Sequence, residues 1–204
     1  MMNKTGIRLS VLICVVGVIF ITWGAPRQAL GTKIQYTGYA LPWQYCTWQR
    51  MTNGWGNPGS HSTTQMWYAY DFGMATGVPV RAARGGTVTY AKTNSSGCGG
   101  SQYANDAKYV TIAHPDGTST LYLHLSQVNV SVGQGVNQGQ TIGLSGNTGW
   151  TNCSSHLHFQ RQGQGNWMTN STAIYFNEYT GVQLANNQLY RSLNYWSGDN
   201  PICQ

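Results

Sequence analysis

Residues 108–126 read KYVTIAHPDGTSTLYLHLS. Two runs rich in β-branched, aromatic and leucine residues flank Pro115-Asp116-Gly117. Proline presets one turn dihedral, aspartate bonds the backbone just ahead of it, and glycine accepts positive φ. The triplet therefore predicts a tight turn, and the flanking runs predict an antiparallel hairpin.

Outward from this hairpin the same grammar repeats. GGTVTYAK (85–92), the aromatic run MWYAYDFGM around Asp71, a short segment at Gln140–Leu144 and HLHFQRQ (156–162) read as strands, with a last strand near STAIYF. Glycine-punctuated stretches such as GQGVNQGQ separate them. No amphipathic helix, internal repeat or low-complexity tract interrupts the pattern. The expected fold is mainly β: an antiparallel sheet with a groove walled by long loops.

Composition agrees. Only 8% of the 204 residues are charged, 12% are aromatic and 26 are glycine, a turn-rich β profile rather than a helical or disordered one. Lys4 and Arg8 precede the apolar run VLICVVGVIFITW, which is short for a membrane span of about 20 residues. Small residues at Ala29 and Gly31 place a signal cleavage after Gly31, the alternative being an uncleaved N-terminal anchor. Residues 1–31 are thus expected as a signal peptide, 32–165 as the catalytic domain and 166–204 as its strand-and-loop extension. Loss of Lys4, Arg8 and Arg27 takes the basic residues from eleven to eight against five acidic ones. That mild surplus suits an anionic cell wall, and without a basic cluster it excludes nucleic acid as partner. No membrane association is expected after signal cleavage, and a monomer is expected. Cys46, Cys98, Cys153 and Cys203 remain, an even number that suits two disulfides and an extracytoplasmic location. No Cys-x-x-Cys pair exists for a thiolate metal site.

Five histidines carry the chemistry. Alternation in 156–162 puts His156, His158 and Gln160 on one strand face and Leu157 and Phe159 on the other. In LYLHLS, alternation sets Leu121, Leu123 and Leu125 against Tyr122, His124 and Ser126. If both strands share a sheet, His124, His156 and His158 converge on one groove. Asp71 sits in a strand-like run where a carboxylate is costly unless paired or metal-bound, and His61 lies on the loop leading into it. Two imidazoles and a carboxylate with one open position make a catalytic zinc site. Zinc lowers the pKa of a bound water to about 7, and that water needs a proton acceptor. The lone glutamate, Glu178, lies in no His-Glu-x-x-His motif, so a histidine must serve. Spacing alone leaves open whether His156 is that base or a second metal ligand. His114, beside the turn, is read as structural. Glycosidase chemistry needs two placed carboxylates and finds only Asp71 well positioned; a zinc carboxypeptidase would want a better placed glutamate.

HSTTQMWYAYDFGMATGVPVRAARGGTV, YLHLSQVNVSVGQGVNQGQTIGLSGNTG and HLHF together resemble the lysostaphin/LasA-type zinc endopeptidases, which hydrolyse peptidoglycan peptides, over roughly residues 40–165. The resemblance implies the lysostaphin-type, duplicated-hybrid-motif-like fold and one zinc ion held by His61, Asp71 and His158. It implies His156 and His124 as catalytic residues, peptidoglycan peptides as substrate and secretion to the cell envelope. The nine residues between His61 and Asp71 exceed the short spacing of many members and resemble the LasA-like branch. The resemblance also supports the disulfide Cys98–Cys153, which leaves Cys46–Cys203 to staple the chain ends. The competing expectation is a catalytically inactive wall-binding or regulatory module of the same fold, which generally loses some of the five site residues; here all five are present.

Overall fold

The computed structural model describes residues 38–165, 167–200 and 202–203. The expected signal segment, 1–31, lies outside them, and among the described residues no helix is long and apolar enough to cross a membrane. Thirteen strands are described: β1 (Trp48–Asn53), β2 (Tyr70–Gly73), β3 (Pro79–Arg81), β4 (Gly86–Lys92), β5 (Cys98–Gly99), β6 (Lys108–Ala113), β7 (Thr118–Val128), β8 (Gly135–Val136), β9 (Thr141–Ser145), β10 (Gly149–Trp150), β11 (Leu157–Gly163), β12 (Ser171–Thr172) and β13 (Leu189–Arg191). Two single 3₁₀ turns, Ser101–Tyr103 and Asn177–Tyr179, are the helical elements among them.

Eleven of these strands form one antiparallel sheet whose main path runs β13-β1-β2-β11-β7-β6-β4-β8. The 108–126 hairpin is its spine: β6 and β7 pair around the Pro115-Asp116-Gly117 turn, where Gly117 takes φ 81°. β11 lies on the other side of β7, with His158 opposite Leu123 and Phe159 opposite Tyr122. β2 flanks β11, with Asp71 opposite His158. The short β5 and β10 pair in parallel as a separate ribbon.

Directly opposed residues share a face, so the register sorts the sheet. Phe72, Tyr70, Leu157, Phe159, Tyr122 and Val110 point into the main core with Trp43, Leu41 and Phe176. Asp71, His158, Gln160, Leu123, Leu121 and Tyr109 occupy the opposite face, where Tyr109, Leu121 and Leu123 form a smaller apolar cluster with Ala107 and Met168.

One expected face needs correction. Leu125 does not share a side with Leu121 and Leu123; it joins Tyr122 in the main core. Tyr109 pairs with Leu123 and the preceding Lys108 with Leu125, so His124 is an extra residue with no cross-strand partner in that register. Its φ of 67° marks a bulge, and Leu125 just beyond it is turned over by one step. The strands β1, β3, β5, β8, β10 and β13 were not expected. STAIYF supplies only the two-residue β12, which pairs with Arg161 and Gln162 of β11. Both expected disulfides are present, Cys98–Cys153 and Cys46–Cys203.

Candidate metal centre

Three elements meet at Asp71. β2 carries the carboxylate, the neighbouring β11 carries His158, and the loop between β1 and β2 brings in His61. Asp71 Oδ1 lies 2.9 Å from His158 Nδ1 and 3.3 Å from His61 Nε2. The three donor atoms lie within 4.8 Å of one another, and all three residues are buried. Asp71 Oδ2 is turned away by Asn53, whose Nδ2 donates to it at 3.1 Å. A register shift in β1 between Met51 and Asn53 puts that amide opposite Asp71.

Each imidazole is oriented from behind. His61 Nδ1 donates to the Gly54 carbonyl at 2.9 Å, which leaves Nε2 as the atom facing Asp71. That Nε2 is buried yet has no hydrogen-bond partner. On the far side of His158, Nε2 meets Gln160 Oε1 at 3.1 Å. A buried polar atom without a partner is rare, and here it points at a carboxylate and a second imidazole. The donor set of two imidazole nitrogens and one carboxylate oxygen fits zinc, with the outer partners that metal-bound histidines and carboxylates ordinarily have.

The electrostatics agree. Burial alone would raise the Asp71 carboxyl, but the His158 hydrogen bond and the His61 imidazole 3.3 Å away hold it well below its ordinary range. Burial alone would lower His61, but the Asp71 carboxylate beside it outweighs that and raises it. Asp71 therefore stays anionic and draws positive charge into the cluster, a place a cation takes on binding.

His124 and His156 stand beside this cluster. Their rings are 4.7 Å apart by centroid, and His124 lies 6.1 Å from His158. Without the bulge, His124 would follow Tyr122's alternation into the main core. The positive φ, a strained conformation for a non-glycine residue, is what turns it to the histidine-bearing face. So the expected convergence is observed, while the matching-face argument for it is not: Tyr122 lies on the core side. His124 Nδ1 donates to the Thr148 carbonyl at 2.8 Å, and His156 Nδ1 donates to the Ser154 carbonyl at 3.0 Å. In both rings Nε2 is then left as the lone-pair nitrogen. Burial, then the neighbouring His156 and His158 imidazoles, push His124 down to about 3.

His114 lies elsewhere, between Gly85 O and Thr120 Oγ1 at the hairpin end of the sheet. Asn53, Gly54, Thr148 and Ser154 escaped the sequence reading because backbone carbonyls carry no residue signature and β1 shows weak alternation. Gln160 was placed on the right face without a role.

A model of peptidase family M23 matches residues 65–170, with His61 just upstream of the matched segment. Lysostaphin of Staphylococcus simulans is 41% identical over 109 residues, 53% of this chain and 20% of that protein. The glycyl-glycine endopeptidase ALE-1 of Staphylococcus capitis is 40% identical over 116 residues, 56% of this chain and 26% of its own length. The peptidoglycan DD-endopeptidase ShyA of Vibrio cholerae is 41% identical over 90 residues, 44% of this chain and 19% of its own. The match thus spans about a quarter or less of these curated relatives. The solved structure of the antimicrobial peptidase lysostaphin from Staphylococcus simulans aligns with TM-score 0.52 at 31% identity, over 68% of this chain and 51% of that chain.

Proposed function

The chain belongs to peptidase family M23, and from that premise we propose that it is a secreted zinc metalloendopeptidase hydrolysing peptide bonds in bacterial peptidoglycan cross-links. One observation carries the reading: three buried donors converge with His61 Nε2 unpartnered, and two further imidazoles stand alongside with Nε2 free. His61, Asp71 and His158 hold one zinc ion. Zinc supplies Lewis acidity, which lowers the pKa of the attacking water.

The chain's own residues do the rest. His156, with its Nδ1 proton committed to Ser154, accepts a proton at Nε2 and returns it to the leaving amine. His124 is neutral at working pH, with its Nδ1 proton committed to Thr148, so it first presents an acceptor. It orients the water beside His156 and becomes a donor toward the developing oxyanion only when it shares the transferred proton. Residues 32–165 form the catalytic domain and 166–204 extend it, and residues 1–31 direct export.

Metal analysis and clearing of a purified peptidoglycan suspension test this. The unmodified protein should carry about one zinc per chain and clear the suspension. His61→Ala, Asp71→Ala and His158→Ala should be metal-poor and inactive. His156→Ala and His124→Ala should keep zinc and lose about 10²–10⁴-fold in rate, the usual cost of an acid–base group. Clearing at full rate by any of the five variants would overturn the assignment, and zinc without clearing in the unmodified protein would mark an inactive wall-binding module. Mass spectrometry of the released fragments separates glycyl–glycine from D-alanyl cleavage.

A further inference from the structure

Behind His158 lies a chain of buried side-chain amides. We propose that Gln160 and Gln162 form a relay that keeps a proton on His158 Nε2, so that Nδ1 is the nitrogen left to the metal position.

Two backbone groups at the far end of the chain have fixed roles. A carbonyl only accepts and a peptide N–H only donates. Gln162 Nε2 donates to the Trp167 carbonyl at 2.7 Å, and Gln162 Oε1 accepts from the Thr169 N–H at 3.3 Å. Turning this amide over would set oxygen against oxygen and N–H against N–H, so its orientation is fixed. Its Oε1 then requires a donor from the next side chain, and Gln160 Nε2 supplies it at 2.6 Å. That fixes Gln160 in turn, with Oε1 toward His158 Nε2 at 3.1 Å. An acceptor there demands a proton on Nε2. Nδ1 lies 2.9 Å from Asp71 Oδ1, a carboxylate oxygen that also only accepts, so in the metal-free chain a proton on Nδ1 is shared with Asp71, and Nδ1 is the nitrogen a cation takes when that proton leaves.

Burial makes the relay decisive. Gln160 and Gln162 are both fully buried, at 0% exposure, so water does not compete for these bonds. Gln160 faces Leu121 across the sheet, where an apolar side chain would pack without any desolvation cost. Two buried glutamines at i and i+2 are an expensive way to fill space and an effective way to transmit a direction. An amide acceptor also orients His158 without adding a second anion beside Asp71. Gln160 and Gln162 are positioning residues, acting through His158.

The metal arm of the test rests on the proposed zinc site; the proton arm does not. Long-range ¹⁵N–¹H correlation on the metal-free full chain, at about pH 8 where ordinary imidazoles are neutral, should show a proton on His158 Nε2. A bare Nε2 would overturn the relay. Gln160→Met removes the acceptor, so the Nε2 proton signal should be lost in favour of Nδ1–H toward Asp71, and zinc binding should weaken about 10–100-fold, read by competition with a chromophoric chelator. Gln162→Met, which touches no ligand, should also deplete the Nε2 proton because it frees the Gln160 amide to turn over. Zinc affinity within twofold of the unmodified protein in Gln160→Met would refute the relay's role. Failure of the unmodified protein to bind zinc would sink the metal reading while the Nε2 proton still decides the relay, as it does if a variant fails to fold.

Discussion

The fifth histidine shows how the same side chain serves a different purpose when its surroundings change. His114 is nearly fully buried, at 3% exposure, with both ring nitrogens bonded and its ring against the edge of Tyr39. Burial, with the Arg84 and Arg161 charges adding to it, lowers its pKa below the ordinary 6.5. The folded protein therefore binds a proton here less readily than the unfolded chain. Below about pH 6.5 the unfolded chain holds more protons, so stability rises with pH across the window between the two values. The contribution is whole above that window and drains away as pH falls through it. Replacing the residue by glutamine should cost about 1–3 kcal/mol at neutral pH through lost buried hydrogen bonds. It should also flatten the acid-side loss. Urea unfolding of both proteins between about pH 5 and 7.5 reads the difference; parallel curves would show that His114 does not titrate on unfolding.

At the level of elements, the site depends on the segment between β9 and β11. The Gly146 carbonyl accepts from the His156 N–H, Thr148 O takes His124 and Ser154 O takes His156. Gly149 sits in the middle at φ 87°, and a Cβ there would lie 2.9 Å from backbone atoms of Ala107. Gly149→Ala should therefore cost more than about 1 kcal/mol and lower turnover while leaving zinc content unchanged, because Thr148 moves with it. Unchanged turnover at a lowered melting temperature would show that the segment's position does not reach His124. Little of this was readable from the chain. The hairpin, β4, β9 and β11 announced themselves because alternation and turn residues agreed over several positions. The strands β5, β8 and β10 have two residues each, too few to show a period, and β13 is paired by tertiary context with Trp48–Arg50. Alternation also misplaced Leu125, since a bulge at a non-glycine residue leaves no mark in composition. The candidate triad was legible in part: few histidines and carboxylates compete for its roles, but the choice of His158 over His156 came from the family resemblance and not from spacing. Its outer partners were not, because they are mostly carbonyls.

Across the whole molecule, the two disulfides divide the labour between stability and chemistry. Cys46–Cys203 spans 157 residues of sequence and Cys98–Cys153 spans 55. The long bridge closes a segment already docked elsewhere: Arg81 pairs with Asp199 through both guanidinium ends, and Asn194 bonds the Leu41 and Ala82 carbonyls. In the chain-entropy account, closing the longer loop stabilises by about 1 kcal/mol more than closing the shorter. The short bridge holds the turn around Cys153, whose φ of 59° adjoins Asn152 at 49°. That turn carries the Ser154 carbonyl of His156. Replacing Cys46 and Cys203 by serine should thus be the more destabilising change, by about 1 kcal/mol on a total of about 2–5 kcal/mol per bridge, with zinc content and turnover near normal below the melting transition. Replacing Cys98 and Cys153 should reverse the balance: a smaller loss of stability, zinc retained, and a larger loss of turnover because the support behind His156 slackens. Denaturant unfolding, metal analysis and peptidoglycan clearing on the two double variants separate these effects. If both variants lose turnover only in proportion to the fraction unfolded, the short bridge is a staple like the long one, and the positioning of His156 belongs to the β11 register alone.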